Sequence, residues 1–154
     1  ALLLAGERET NIGCDLNDAS WFSRIDASGG AVFFAAGVFY YFLTGQVKTL
    51  VCALAAAFPD GRIVFDAANR SAVKLMLKTW IRQAKIRDVG AYFAVADAKK
   101  ELSTWSEKLS ISSRGYMLGY QTLDDPSVSG FFRFLAKVGD GMMKMQIVRL
   151  DFQK

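Results

Sequence analysis

The sequence predicts an α/β domain whose sheet is largely parallel, with an antiparallel strand near its end. Two short apolar runs without polar alternation are each followed by an apolar pattern at helical spacing, the signature of strands joined by crossover helices. The last strand-like run follows its neighbour with too little intervening chain for two crossovers, so a reversed strand is expected there.

The first run starts at Gly29 and reads Gly-Gly-Ala-Val-Phe-Phe-Ala-Ala-Gly-Val-Phe-Tyr-Tyr-Phe. It is too apolar to alternate, which predicts a strand buried on both faces. Thr44 then offers a hydroxyl as a helix N-cap, and Val47, Leu50, Val51, Leu54 and Phe58 recur at helical spacing until Pro59-Asp60-Gly61 stops them. Arg62-Ile63-Val64-Phe65-Asp66 is the second strand run, and Ser71 opens a second helical stretch through Val73, Leu77, Trp80 and Ile81. Right-handed crossovers would put the ligand crevice beyond the C-terminal strand ends, around Ala35 to Tyr41 and Asp66 to Asn69. Beyond Asp88 the chain reads as a short helix from Asp97, its N-cap, to Trp105. A strand over Ser112 to Gln121, a helix over Gly130 to Val138 and a closing strand over Met142 to Phe152 follow.

At 154 residues and 52% hydrophobic content, the chain can bury one core, and no repeat or linker divides it, so residues 1–154 are read as one domain. The longest apolar stretch, Ala31 to Leu43, falls well short of the roughly 20 residues of a membrane-spanning helix. Ala1 to Ala5 are apolar, but no basic segment precedes them; a secretory signal is not expected, and the protein is expected to be cytoplasmic. Cys14 and Cys52 fit neither a CxxC motif nor a disulfide framework and read as free thiols. The absence of histidine excludes a Ser-His-Asp or Cys-His nucleophile system, and any His-containing metal site, within this chain; no metal is expected. The net charge of +4 is scattered, and Lys74, Lys78, Arg82 and Lys85 read as a solvated helix face, so no nucleic-acid partner is expected.

Three segments occur in a telling order: Asp15-Leu16-Asn17-Asp18-Ala19-Ser20-Trp21, Ala35-Ala36-Gly37-Val38-Phe39-Tyr40-Tyr41-Phe42, and Phe58-Pro59-Asp60-Gly61-Arg62-Ile63-Val64-Phe65-Asp66. In that order the chain, from about Glu9 to Phe152, resembles the tetracenomycin polyketide synthesis O-methyltransferases, class I enzymes related to the leucine carboxyl methyltransferases. The resemblance implies the C-terminal portion of a Rossmann-like sheet that holds S-adenosylmethionine. It also implies methyl transfer to a hydroxyl or carboxyl oxygen of a small-molecule acceptor.

By that resemblance Glu9 to Cys14 would be the third strand of the fold. Asp15 would approach the adenine amino group, Leu16 would lie on the ring, and Ala35, Ala36 and Gly37 would floor the methionine end of the cofactor. Other branches of the family carry an acid where Ala36 stands, so no acid is expected from that position here. Tyr40 and Tyr41 could line the acceptor pocket. Tyr116 and Tyr120, four apart on an expected strand, would share a face on the substrate side, with Trp105 before them. Each has a plainer reading: Asp15 and Asp18 can cap a short helix carrying Trp21 and Phe22, Gly37 can end a strand, and the tyrosines can be core. The glycine-rich cofactor loop of the family does not occur in this sequence. The strand at Ala31 to Ala35 would then lack a neighbour and expose an apolar edge, which leaves three readings open: a natural truncation, a piece of a longer enzyme, or self-association or another chain that supplies the missing strands. A non-catalytic assembly module is the alternative function.

Overall fold

The described residues, 6–81, 85 and 90–154 of a computed structural model, form strands β1 (Val32–Ala35), β2 (Arg62–Ala67), β3 (Leu109–Gly115) and β4 (Gln146–Phe152). Helices α1 (Thr44–Ala57), α2 (Arg70–Met76), α3 (Ala98–Leu102) and α4 (Gly130–Lys137) connect them. The side chains of Trp80 and Ile81, together with Ala1 to Ala5, Arg82 and Asp88, lie outside that description.

Alternation places the core. Ile63, Phe65 and Ala67 of β2 are buried, and they face Leu150, Val148 and Gln146 across an antiparallel ladder, so one side of the sheet is continuous through both strands. The helical spacing of Val47, Val51 and Leu54 puts all three on one stripe of α1, and that stripe closes over the same side. Burying each such side chain stabilises the fold by about 1.5–3 kcal/mol, which is why the periodic residues dictate the layering.

The sheet order is β1-β2-β4-β3. β1 pairs parallel with β2 across the α1 crossover, while β4 runs antiparallel to both β2 and β3. Three strands therefore share a direction and β4 alone is reversed, next to the edge, in line with the sequence expectation.

Several boundaries differ from that expectation. α1 begins one residue earlier in capping terms: Leu43 is the N-cap, and its N–H donates to Gln46 Oε1 at 2.9 Å, so Thr44 is already helical. Asn69 caps α2 by accepting from the N–H of Ala72 at 3.0 Å, and α2 gives way after Met76 to a wider π turn over Leu77–Ile81. Asp97 caps α3 as expected, and Glu101 reaches back to the N–H groups of Ala96 and Asp97. β4 starts at Gln146 rather than Met142.

Three expectations are corrected. β1 is not buried on both faces: Phe33 and Ala35 turn inward, but Val32 is 54% and Phe34 77% exposed, because alternate side chains point to the opposite face of the sheet and nothing among the described residues covers it there. Glu9 to Cys14 form no strand, since a strand exists by its ladder and this segment has no ladder partner there. The strand expected over Ser112 to Gln121 is β3, shifted to Leu109–Gly115, so Tyr116 and Tyr120 do not share a strand face. No helix among the described residues is long and apolar enough to cross a membrane.

Candidate functional site at the carboxyl ends of the strands

β1 ends at Ala35, paired with Phe65, which brings the turn after β1 beside Asp66 at the end of β2. Gly37 sits in that turn with φ +67, a left-handed conformation that glycine adopts without a Cβ penalty. Its N–H donates to Asp66 Oδ1 at 2.6 Å, a short charge-assisted bond that locks the turn to the strand end. The following 3-10 turn, Phe39–Tyr41, sends Phe39 into the core and Tyr40 toward Asp66. Tyr40 is only 7% exposed. Burial first, then the neighbouring Asp66 carboxylate and the hydrogen bond to it, push the Tyr40 phenol above its ordinary pKa. It is therefore a neutral donor throughout the physiological range.

β3 runs in the same direction as β1 and β2, so Tyr116, the residue after its end, falls at the same end of the sheet. The Tyr116 N–H donates to Met145 O at 3.1 Å. Asp140 holds the turn that follows by accepting from the N–H of Met117 at 2.9 Å and of Leu118 at 2.7 Å. Asn69 ties α2 to this segment, donating from Nδ2 to Met142 O at 2.8 Å. Together these elements enclose a cavity of about 370 Å³, whose polar groups are Asp66, Tyr40, Tyr116 and Thr79 and whose walls are Ala, Val, Leu and Met side chains.

The structure thus brings Tyr40 and Tyr116 together and leaves Tyr41 outside, exposed and not among the cavity's lining residues. Tyr120 stands apart, its ring 5.4 Å beneath the Arg114 guanidinium, and Trp105 packs on Phe93 with ring centroids 6.3 Å apart, a core role. Ala35 is buried in the core, whereas Ala36 and Gly37 are exposed. Asp15 is exposed in its loop, where Oδ1 accepts from both the N–H and Nδ2 of Asn17 at 2.9 Å. Asp18 caps the 3-10 turn Ala19–Arg24, as the plainer reading had it. Asn17 in turn accepts from Gln46 Nε2 at 3.0 Å, and Leu16 shares a small apolar space with Phe39 and Phe42. The Asp15 loop is thereby docked beside the segment that follows Gly37.

The sequence reading missed the methionine wall (Met76, Met143 and Met145) and the turn-holding Asp140. Three methionines within Met142 to Met145 were the available signal, since unbranched thioethers suit an irregular apolar wall.

Gly37→Ala is expected to cost about 1–2 kcal/mol, because the left-handed turn is strained for any residue with a Cβ although the space around it is open. Thermal denaturation should show a drop of a few degrees, and an unchanged midpoint would mean the turn is not held in this conformation.

These features define a mixed α/β sheet with its crevice at the carboxyl ends of the strands, the arrangement of Rossmann-like folds. A solved structure of a candidate methyltransferase from Thermobifida fusca YX superposes on 92% of this chain with a TM-score of 0.54 at 14% sequence identity, so the two share a fold. A second solved structure, an O-methyltransferase family protein from Burkholderia thailandensis, aligns over 93% of the chain with a TM-score of 0.48 at 13% identity. The chain spans 52% and 35% of the lengths of these two proteins. No protein-family model matches the chain, and no curated protein is significantly similar to it.

Proposed function

We propose that this chain forms the C-terminal part of an S-adenosylmethionine-dependent O-methyltransferase domain of the kind the sequence resembles, acting on a small-molecule acceptor. The observation that carries the reading is the bond from Gly37 N–H to Asp66. It joins two parallel strand ends, a Cβ-free left-handed turn and an aromatic-tipped apolar cavity at the edge where open α/β sheets take their ligands. The fold shared with the Thermobifida fusca protein supports it at the level of architecture.

The residues present fit the cofactor. Asp15 presents an exposed carboxylate that can accept from an exocyclic amine, Leu16 supplies apolar cover beside it, and nothing lies within 4 Å of where a Gly37 Cβ would stand, leaving room for close approach. Ala36, exposed beside it, keeps that floor small, with Ala35 packed in the core beneath. The bound cofactor would supply an electrophilic methyl group on sulfur. This chain's share of the work is to hold the acceptor oxygen in line and exclude water, contributions that proximity alone can make large. The neutral Tyr40 phenol donates its hydrogen bond to Asp66 and so orients that carboxylate.

β1 is the edge strand among the described residues, which favours a completing strand from elsewhere in the protein or from a second copy, and the open face with Val32 and Phe34 favours a covering layer. A purely assembling module would use that same edge without binding cofactor. Calorimetric titration of the complete protein with S-adenosylhomocysteine separates the two, with micromolar binding expected. No heat of binding at millimolar ligand, together with stable self-association in sedimentation, would leave only the assembling role.

A further inference from the structure

The cavity beside Asp66 discriminates between the two acceptor classes, and from it we infer that the acceptor is a neutral hydroxyl on an apolar, aromatic-sized body, with Asp66 as the group that takes its proton. The inference rests on the methyltransferase reading above and concerns the same site.

Charge decides it. Among the described residues lining the cavity, Asp66 is the one charged side chain, with no lysine or arginine among them. A carboxylate acceptor would have to leave water for an apolar chamber and face a second carboxylate, with no basic side chain among the described lining residues to offset either effect before the cofactor binds; both effects oppose it. A hydroxyl meets the opposite situation. It can donate to Asp66 and accept from Tyr116, while Val73, Met76 and Met145 cover its carbon skeleton. The volume of about 370 Å³ lies at the small end of ligand sites, suited to one or two fused rings.

The same geometry gives Asp66 its role. As the acceptor oxygen forms its bond to the methyl carbon with one of its lone pairs, the S–CH3 bond breaks and its electron pair stays on sulfur. The oxygen, turning strongly acidic, releases its proton to the Asp66 carboxylate. One positive and one negative charge vanish together, leaving an ether, a thioether and a carboxylic acid that afterwards returns its proton to water. Asp66 already has Gly37 N–H on Oδ1, so the strand-end turn aims the carboxylate while it reacts. Tyr40, kept protonated, cannot compete for the proton.

Calorimetry of the complete protein with 2-naphthol and 2-naphthoate, without cofactor, tests the acceptor class. The naphthol should bind at least tenfold more tightly, and Asp66→Asn, whose amide oxygen can still accept from Gly37, should narrow that gap. Equal or tighter binding of 2-naphthoate by the unaltered protein would overturn the inference. In turnover, Asp66→Asn should lose roughly 10²- to 10⁴-fold in kcat on 2-naphthol, the usual range for general base catalysis. It should lose far less on a nitrophenol that is already ionised at the assay pH. Equal losses on both acceptors would reduce Asp66 to a positioning residue. If S-adenosylhomocysteine fails to bind, the methyltransferase reading fails and this inference falls with it. If it binds and carboxylates are preferred, only the acceptor assignment is wrong.

Discussion

Phe93→Ala should destabilise the chain by about 3–5 kcal/mol, a large fraction of the roughly 5–15 kcal/mol that holds a domain folded. Phe93 is 0% exposed, and its ring meets those of Phe39 at 6.0 Å, Phe65 at 6.0 Å and Trp105 at 6.3 Å between centroids. It belongs to neither strand nor helix, so its segment is held by packing, by the N–H groups of Tyr92 and Phe93 on Tyr40 O, and by Val95 N–H on Ala68 O. Truncation removes the shared centre of the aromatic cluster and leaves a void that these rigid neighbours cannot close. Because Tyr92 and Phe93 bond to the backbone of Tyr40, the loss also loosens one wall of the cavity. Urea denaturation should register the change, with Phe131→Ala, at a residue 71% exposed, moving stability by less than about 0.5 kcal/mol as the control. A Phe93→Ala effect below about 1 kcal/mol would mean that the cluster is not packed as described.

The elements that were legible in the sequence are those whose side chains obey a single period. α1 could be read because Val47, Val51 and Leu54 repeat at helical spacing against one partner, and β2 because it is short, apolar and bounded by Asp60-Gly61. The reversed β4 was legible from connection length alone. β1 misled because composition reports how apolar a strand is, not how many neighbours it has; Phe34 reads as core yet stands on an open face.

At the site, the sequence pointed to the right strand ends but not to which side chains meet there. Tyr40 and Tyr41 are adjacent and chemically identical, and only the 3-10 turn over Phe39–Tyr41 sends one inward and the other out. Tyr116 does not occupy the strand face that its spacing from Tyr120 predicts; it reaches the cavity because β3 stops at Gly115 and a turn begins. That stop depends on Asp140, some two dozen residues away, whose carboxylate gathers the N–H groups of Met117 and Leu118. Local periodicity carries no information about such a partner.

Gly119→Ala tests that turn, and it should remove Tyr116 from the cavity while sparing the sheet. A Cβ at Gly119 would collide with the carbonyl oxygen of Gly115 and come within 2.7 Å of Gly115 N and 2.8 Å of Arg114 Cβ. Two of these are backbone atoms that no rotamer change can move, so the turn itself must open. The bond from Gly119 N–H to Gly115 O, 3.1 Å long, would go first, and the hold of Asp140 on Met117 and Leu118 would follow. Overpacking of this kind costs about 1–3 kcal/mol, and the unpaired carboxylate adds to it. The affinity for 2-naphthol should fall at least tenfold, while binding of S-adenosylhomocysteine at the β1 end should not change. Gly130→Ala is the control: its Cβ meets nothing within 4 Å, and at the start of α4 alanine should stabilise by up to about 1 kcal/mol. If Gly119→Ala binds 2-naphthol as the unaltered chain does, Tyr116 is no part of the acceptor site, and the cavity is closed by the methionines alone.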